Sequence, residues 1–279
     1  MKKLQFAPIF VAVFALAGAV LRGLNLMHGY EPGTGLPIAG NLPETALIAV
    51  CALAGVGLVL FAFGCRGLRG ILFEDAFGAG GTLFKMVSVI AGLIMLAAGG
   101  FGLYLAVTQT QGQLSARLPL YPLWLLAMLT GGCLIGIAAA LGRRTINEST
   151  ASLTIIPMFW ACFDLIITFK DNGASPFVGL YAFELLAAIA LTYAFYALAG
   201  FLYSSASPAR FVFSAGAAVI LCMTCVGGAV IFLASGGAAI VPSTDTLLRY
   251  ACFLASGVWL FAMLILLSRA AAPQDARAD

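Results

Sequence analysis

Eight runs of mostly apolar residues divide this chain, at 6–27, 44–64, 84–107, 118–142, 152–169, 176–203, 210–235 and 246–268. Each is long enough to cross a lipid bilayer as a helix. The hydrocarbon layer calls for about 20 such residues, because backbone N–H and C=O groups find no water there and must pair within the segment. Polar residues, glycine and proline punctuate the runs. The alternating pattern of a membrane barrel is absent. The expected fold is therefore all-α, a polytopic transmembrane helix bundle of eight spans forming one domain over residues 1–269, with a short, polar, disordered tail at 270–279. Composition agrees, with 62% hydrophobic and 9% charged residues where soluble domains carry about a quarter charged.

The basic residues report orientation, since cytoplasmic segments of membrane proteins are enriched in lysine and arginine. With eight spans, one side holds Lys2, Lys3, Arg66, Arg69, Lys85, Arg143, Arg144, Arg210, Arg269 and Arg277, and the other holds Arg22, Arg117, Lys170 and Arg249. This asymmetry favours both termini, and the tail, in the cytoplasm. A missed or extra span would scramble it. The start of the chain, Met1-Lys2-Lys3 before an apolar run, has the outline of a signal peptide with Ala17-Gly18-Ala19 as its cleavage site. The apolar run continues through Val20-Leu21, so we expect a retained first span.

Most catalytic and cofactor chemistry lacks the residues it would need. There is one histidine, His28, in a Gly/Pro-rich loop (25–43) expected to be irregular and solvated. No zinc-protease helix, nucleophile elbow or His/Cys metal cluster is present, so neither an enzyme nor a metal or other cofactor is expected. Seven cysteines fall almost entirely in apolar runs, where the side chain behaves as a small hydrophobe; Cys222 and Cys225 have redox spacing but lie mid-span. Asp164 is the only aspartate within a span, which removes paired-aspartate proteolysis. The net charge of +3 is scattered over loops, so nucleic acid is not an expected partner; the lipid bilayer is. In the loop after the second span, residues 71–77 (ILFEDAF) suggest a short interfacial helix, and Gly78-Ala79-Gly80-Gly81 a flexible connector.

Ionisable side chains inside a span are costly unless they face a polar interior. Asp164 lies five residues before the end of the fifth run, about 7 Å deep at 1.5 Å per residue. Glu184 lies eight residues into the sixth, about 12 Å deep. Arg22, Arg117 and Arg249 fall at the same ends of their own spans. The five charges thus converge on the outer third of the membrane. Two readings stay open: structural ion pairs, or an outward-facing polar vestibule in which arginine binds an anionic group and a carboxylate accepts a cation or proton. Tyr193 and Tyr196, deeper in the sixth span and near the stripe that carries Glu184, are expected to turn their hydroxyls into the bundle. Pro122 and Pro157 could kink their helices and expose carbonyls to such a site.

Eight spans invite a search for two four-span halves, 1–145 and 146–269. Gly99-Gly100 corresponds to Gly227-Gly228 at the offset that also relates Leu105-Ala106 to Leu233-Ala234. Glu44 corresponds to Glu184, and Arg117 to Arg249. Trp124 and Trp259, in similar local sequence, match at a different offset and speak against the repeat. The glycine pairs, and Gly132 with Gly136 four residues on, read as sites of close helix packing.

Phe159 to Lys170, Tyr181 to Ala187 and Tyr196 to Phe201 together resemble uncharacterised multi-spanning membrane proteins of Gram-positive anaerobic bacteria. The resemblance covers the fifth and sixth spans. It implies bacterial origin and a cell-membrane location, and brings no activity. The functional expectation is binding or translocation of a small polar solute through the vestibule; the alternative is a sensor or complex subunit whose intramembrane charges are structural.

Overall fold

The computed structural model describes residues 2–31, 36–38, 40–65, 71–78, 80–108, 120–143, 148–173, 178–203, 205–236 and 243–271. A 3₁₀ turn, Lys2–Phe6, leads into α1 (Ala7–His28), followed by α2 (Leu42–Gly64), α3 (Phe73–Phe77), α4 (Thr82–Thr108), α5 (Leu120–Arg143), α6 (Glu148–Asn172), α7 (Val178–Gly200), α8 (Pro208–Ala234) and α9 (Thr244–Ala270). All but α3 are long and apolar enough to span a membrane, eight in all among the described residues. The chain is an all-helical, multi-pass integral membrane protein. Prolines at the first or second position open α1, α2 and α8, where a missing N–H costs nothing and the fixed φ suits the helix. Pro122 likewise falls in the first turn of α5, whereas α6 runs on through Pro157.

Neighbour contacts run α4–α5–α6–α7–α8–α9 and back to α4, with α9 also reaching α6 through Trp160 and Phe253. α1 lies against α8, and α2 is outermost, touching α1 and α8 along one edge. Of its large apolar side chains Leu47 and Leu58 are buried, while Ile48, Leu53, Val56, Leu60 and Phe63 are exposed. The core between α4, α7 and α9 holds Trp259, whose Nε1 donates to Ser88 Oγ at 3.0 Å, with Phe195 and Phe84 against its ring. The 3₁₀ turn at the start of α1 packs on α9. We refer to that side of the bundle as the terminal end.

Small residues set which helices touch. Cβ atoms added at Gly18 and Gly23 of α1 would strike Thr224 and Ile231 of α8, and at Gly227 and Gly228 of α8 would strike Ala19 and Arg22 of α1. Close approach of this kind replaces the hydrophobic drive that is missing between helices in lipid. In the α4–α5 contact Gly92 faces Gly131, and Gly99 faces Trp124 and Met128. Gly132, expected from its spacing with Gly136 to sit in such a contact, has open space around it; Gly131, one position round the helix, is the packing residue.

The two-half arrangement is not what packs. A two-fold relation would match α1–α8 with α6–α4, and α2–α8 with α7–α4, yet α4 does not pack substantially on α6 or α7. The two glycine pairs have different partners as well: Gly99 admits the next helix of its own half, and Gly227–Gly228 admits the first helix of the other. Two local departures also stand out. α3 turns its apolar face into the protein: Phe73, Ala76 and Phe77 are buried, and Phe77 packs at 5.3 and 5.5 Å from Phe201 and Phe211. The loop after α1, expected to be irregular, pairs Glu31 N–H with Leu36 C=O and Ile38 N–H with Gly29 C=O around a Tyr30–Pro37 bridge. Residues 272–279 of the tail, and Ala79 of the expected glycine connector, lie outside the described residues.

Candidate functional site

At the end opposite the chain termini, α1, α6, α7, α8 and α9 surround an open cavity of about 340 Å³. Arg22 enters from α1, Glu184 from α7, and Arg249 and Tyr250 from α9; Asp171 and Asn172 of α6 stand at the rim, and Cys225 of α8 at the base. Ser243 precedes α9 as its N-cap, its Oγ accepting from Thr246 N–H at 3.2 Å. Consecutive residues in a helix point about 100° apart. Arg249 therefore turns toward α6 and Tyr250 toward α7.

The α6 side is closed. Asp164, Thr168 and Asn172 recur every fourth residue and share one face of α6. Arg249 Nε donates to Asp164 Oδ1 at 2.6 Å and Nη2 to Oδ2 at 3.0 Å, a two-point pair with Asp164 fully buried. Nη2 also donates to Thr168 Oγ1, which in turn donates to the Asp164 carbonyl at 2.8 Å. Asn172 Nδ2 donates to the Thr168 carbonyl at 2.9 Å. Planar bidentate geometry of this kind is the strongest arrangement available to a guanidinium and a carboxylate.

The α1–α7 side is open. Arg22 is 4% exposed, and its Nη1 and Nη2 donate to the carbonyls of Gly179 and Leu180 at 3.2 and 2.6 Å. Its guanidinium lies 5.0 Å from the centroid of the Phe183 ring. Arg22 makes no ion pair among the described residues. Glu184 accepts a hydrogen bond of 2.5 Å from Tyr250 Oη and likewise makes no ion pair there. Gly228 leaves the space in which the Arg22 stem lies. A buried cation held only by neutral carbonyls and a ring, facing a carboxylate held only by a phenol, can take a small solute bearing an anionic group and a donor group.

Four of the charges expected to converge from sequence are thus at one site, in two roles. Arg22, Glu184 and Arg249 line the cavity, and Asp164 lies behind Arg249, out of reach of it. Arg117 lies outside the described residues. Tyr193 and Tyr196 do not belong to the site and do not point inward: they are 39% and 52% exposed and stack on each other with centroids 6.2 Å apart. Tyr193 is nine residues beyond Glu184, about 14 Å along the helix, so it sits near the other membrane face, where a phenol can keep its ring in lipid and its hydroxyl at the interface. Pro122 and Pro157 are not among the cavity's lining residues. Tyr250 and Thr168 were not singled out for the site from sequence. The four-residue spacing of Asp164, Thr168 and Asn172 was the available signal for the second; for Tyr250 there was only its place beside Arg249. His28 is exposed, with Nδ1 3.2 Å from the Leu24 carbonyl. No group of three or more metal-ligating side chains occurs among the described residues.

No family model matches this chain, and neither does any curated protein or solved structure.

Proposed function

We propose that this protein binds a small polar solute in the cavity between Arg22, Glu184 and Arg249 and serves in its uptake or export across a bacterial cytoplasmic membrane. The observation that carries the reading is Arg22, a buried guanidinium with no carboxylate partner among the described residues, in the wall of an open cavity. The sequence division of ten basic residues in one set of alternate segments against four in the other supports both termini in the cytoplasm. With that orientation the cavity opens outward.

The chain should be purified and its melting temperature followed with amino acids, small carboxylates, phosphate and inorganic cations, since a solute that binds only the folded state raises it. The reading expects at least one solute to give a shift that Arg22→Met and Glu184→Gln each abolish. Shifts that survive both substitutions would overturn it. Proteoliposome flux of the same solute then separates translocation from binding alone. The alternative, a sensor or complex subunit, draws on a different observation. The exposed apolar flank of α2 suits a neighbouring membrane helix as well as lipid, and a subunit would keep a partner through purification while ignoring every solute.

A further inference from the structure

The terminal end carries a second feature, distinct from the cavity. Two apolar grooves of about 350 and 300 Å³ lie on either side of the last turns of α7. The first is walled by Val59 and Phe63 of α2, Tyr193 of α7 and Phe213 of α8. The second is walled by Ile155 and Phe159 of α6 with Tyr196 and Tyr203. The stacked rings of Tyr193 and Tyr196 form the ridge between them. Both grooves end at the same two residues, Ser207 and Arg210.

Those two residues present donors. Ser207 occupies the N-cap position of α8, yet its side chain makes no capping bond. Pro208 has no N–H to offer, and the N–H groups of Ala209 and Arg210 belong to the first helical turn, where the helix itself supplies no acceptor. The Arg210 side chain is exposed and makes no ion pair among the described residues. A cation, an uncommitted hydroxyl and a helix N-terminus therefore meet where two apolar furrows converge. The first furrow runs inward from the helix ends to Val59 on α2 and Tyr193 on α7, about 8 to 10 Å at 1.5 Å per residue, and the second to Tyr196 on α7, about 6 Å.

We propose that this is a binding site for one anionic diacyl phospholipid, its phosphate on Arg210 and Ser207 and one acyl chain in each groove. The charge of Arg210 selects an anionic headgroup over a zwitterionic one. The pair of grooves selects two chains over one, since each furrow offers van der Waals packing that only a chain lying in it can use. A free phosphate would use the polar corner and leave both furrows empty.

Native mass spectrometry of the detergent-purified full chain tests this, with phosphatidylglycerol and phosphatidylcholine of identical chains at equal concentration. One basic contact near a membrane surface corresponds to about a five-fold preference for the anionic lipid. Arg210→Gln should reduce that preference to none while leaving the melting temperature unchanged, because the side chain is exposed. Single-chain lysophosphatidylglycerol should be retained less than the diacyl lipid, and Ala62→Phe, which fills the first groove, should erase that difference. Equal retention of the two headgroups, an unchanged preference in Arg210→Gln, or displacement of the lipid by millimolar inorganic phosphate alone would overturn the proposal.

Discussion

The two arginines at the cavity, Arg249 and Arg22, have similar burial, 6% and 4% exposed, and opposite circumstances. Arg249 is neutralised: two bonds to the Asp164 carboxylate and one to Thr168 leave its charge balanced within the protein. Arg22 is solvated by two carbonyls and a phenyl ring, and its charge is balanced by nothing in direct contact among the described residues. Burial of a charge costs several kcal/mol unless a counter-charge offsets it. A bundle that needed only stability could put an apolar residue at position 22. The difference separates a residue that holds α6 to α9 from one whose counter-charge, in the proposed function, comes from the bound solute.

The largest effect that could break this contrast is on stability. Arg249→Met removes the counter-charge of fully buried Asp164 and should destabilise the protein by about 3–5 kcal/mol. Combining it with Asp164→Leu should recover most of that loss, because an apolar pair of similar volume leaves no charge behind. Equilibrium unfolding in detergent reads both. A double variant no more stable than the single one would mean that Arg249 is held for reasons other than Asp164.

Arg22→Met should behave in the reverse way. The carbonyls of Gly179 and Leu180 lie in the first turn of α7 and retain their helical partners, so stability should move by no more than about 1 kcal/mol in either direction. Affinity for the solute identified by thermal shift should fall by about 10- to 150-fold, the value of a charge-assisted hydrogen bond of about 1.5–3 kcal/mol. Isothermal titration of the variant checks the split. A stability loss as large as that of Arg249→Met would place Arg22 among the structural charges.

Gly228→Ala probes how Arg22 reaches its position. The added methyl would lie 2.5 and 2.8 Å from the Cγ and Cβ of Arg22, and such overpacking costs about 1–3 kcal/mol. Gly100→Ala, with open space around it, should be neutral or slightly stabilising through helix propensity. Thermal unfolding of the pair measures the difference, and solute affinity should drop only in Gly228→Ala.

The spans were legible because apolar run length is fixed by the bilayer, and all eight were read within a few residues of their observed ends. Level in the membrane was legible too, since depth follows from counting residues along each helix; Asp164, Glu184, Arg22 and Arg249 do lie at one end. Direction around the helix axis was not. In a span that is apolar on every side the pattern hardly distinguishes lipid from bundle, so sequence alone turns Tyr193 and Tyr196 inward where the structure exposes them, and puts Gly132 in a contact that Gly131 makes. Pairing was equally hidden. That Arg249 would meet Asp164, and Arg22 would not, depends on α9 reaching α6 across the bundle, a long-range contact that only the packing reveals.

Tyr250→Phe is the smallest change and draws the boundary between the two halves of the site. Tyr250 and Arg249 are neighbours on α9, one bound to Glu184 and the other to Asp164, so the same helix serves the open side and the closed side. Loss of the hydroxyl leaves Glu184 without its side-chain donor. Glu184 faces the cavity, however, where water can replace what the phenol gave. Side-chain hydrogen bonds between membrane helices average about 0.6 kcal/mol and reach about 1.7, and the replacement by water puts this one at the low end. Denaturant titration should therefore show a loss near 0.6 kcal/mol, with solute affinity reduced less than in Arg22→Met because the anion-binding guanidinium is untouched. A loss approaching that of Arg249→Met would show that water does not reach Glu184. The carboxylate would then belong with Asp164 to the framework, and Arg22 alone would define the binding side of the cavity.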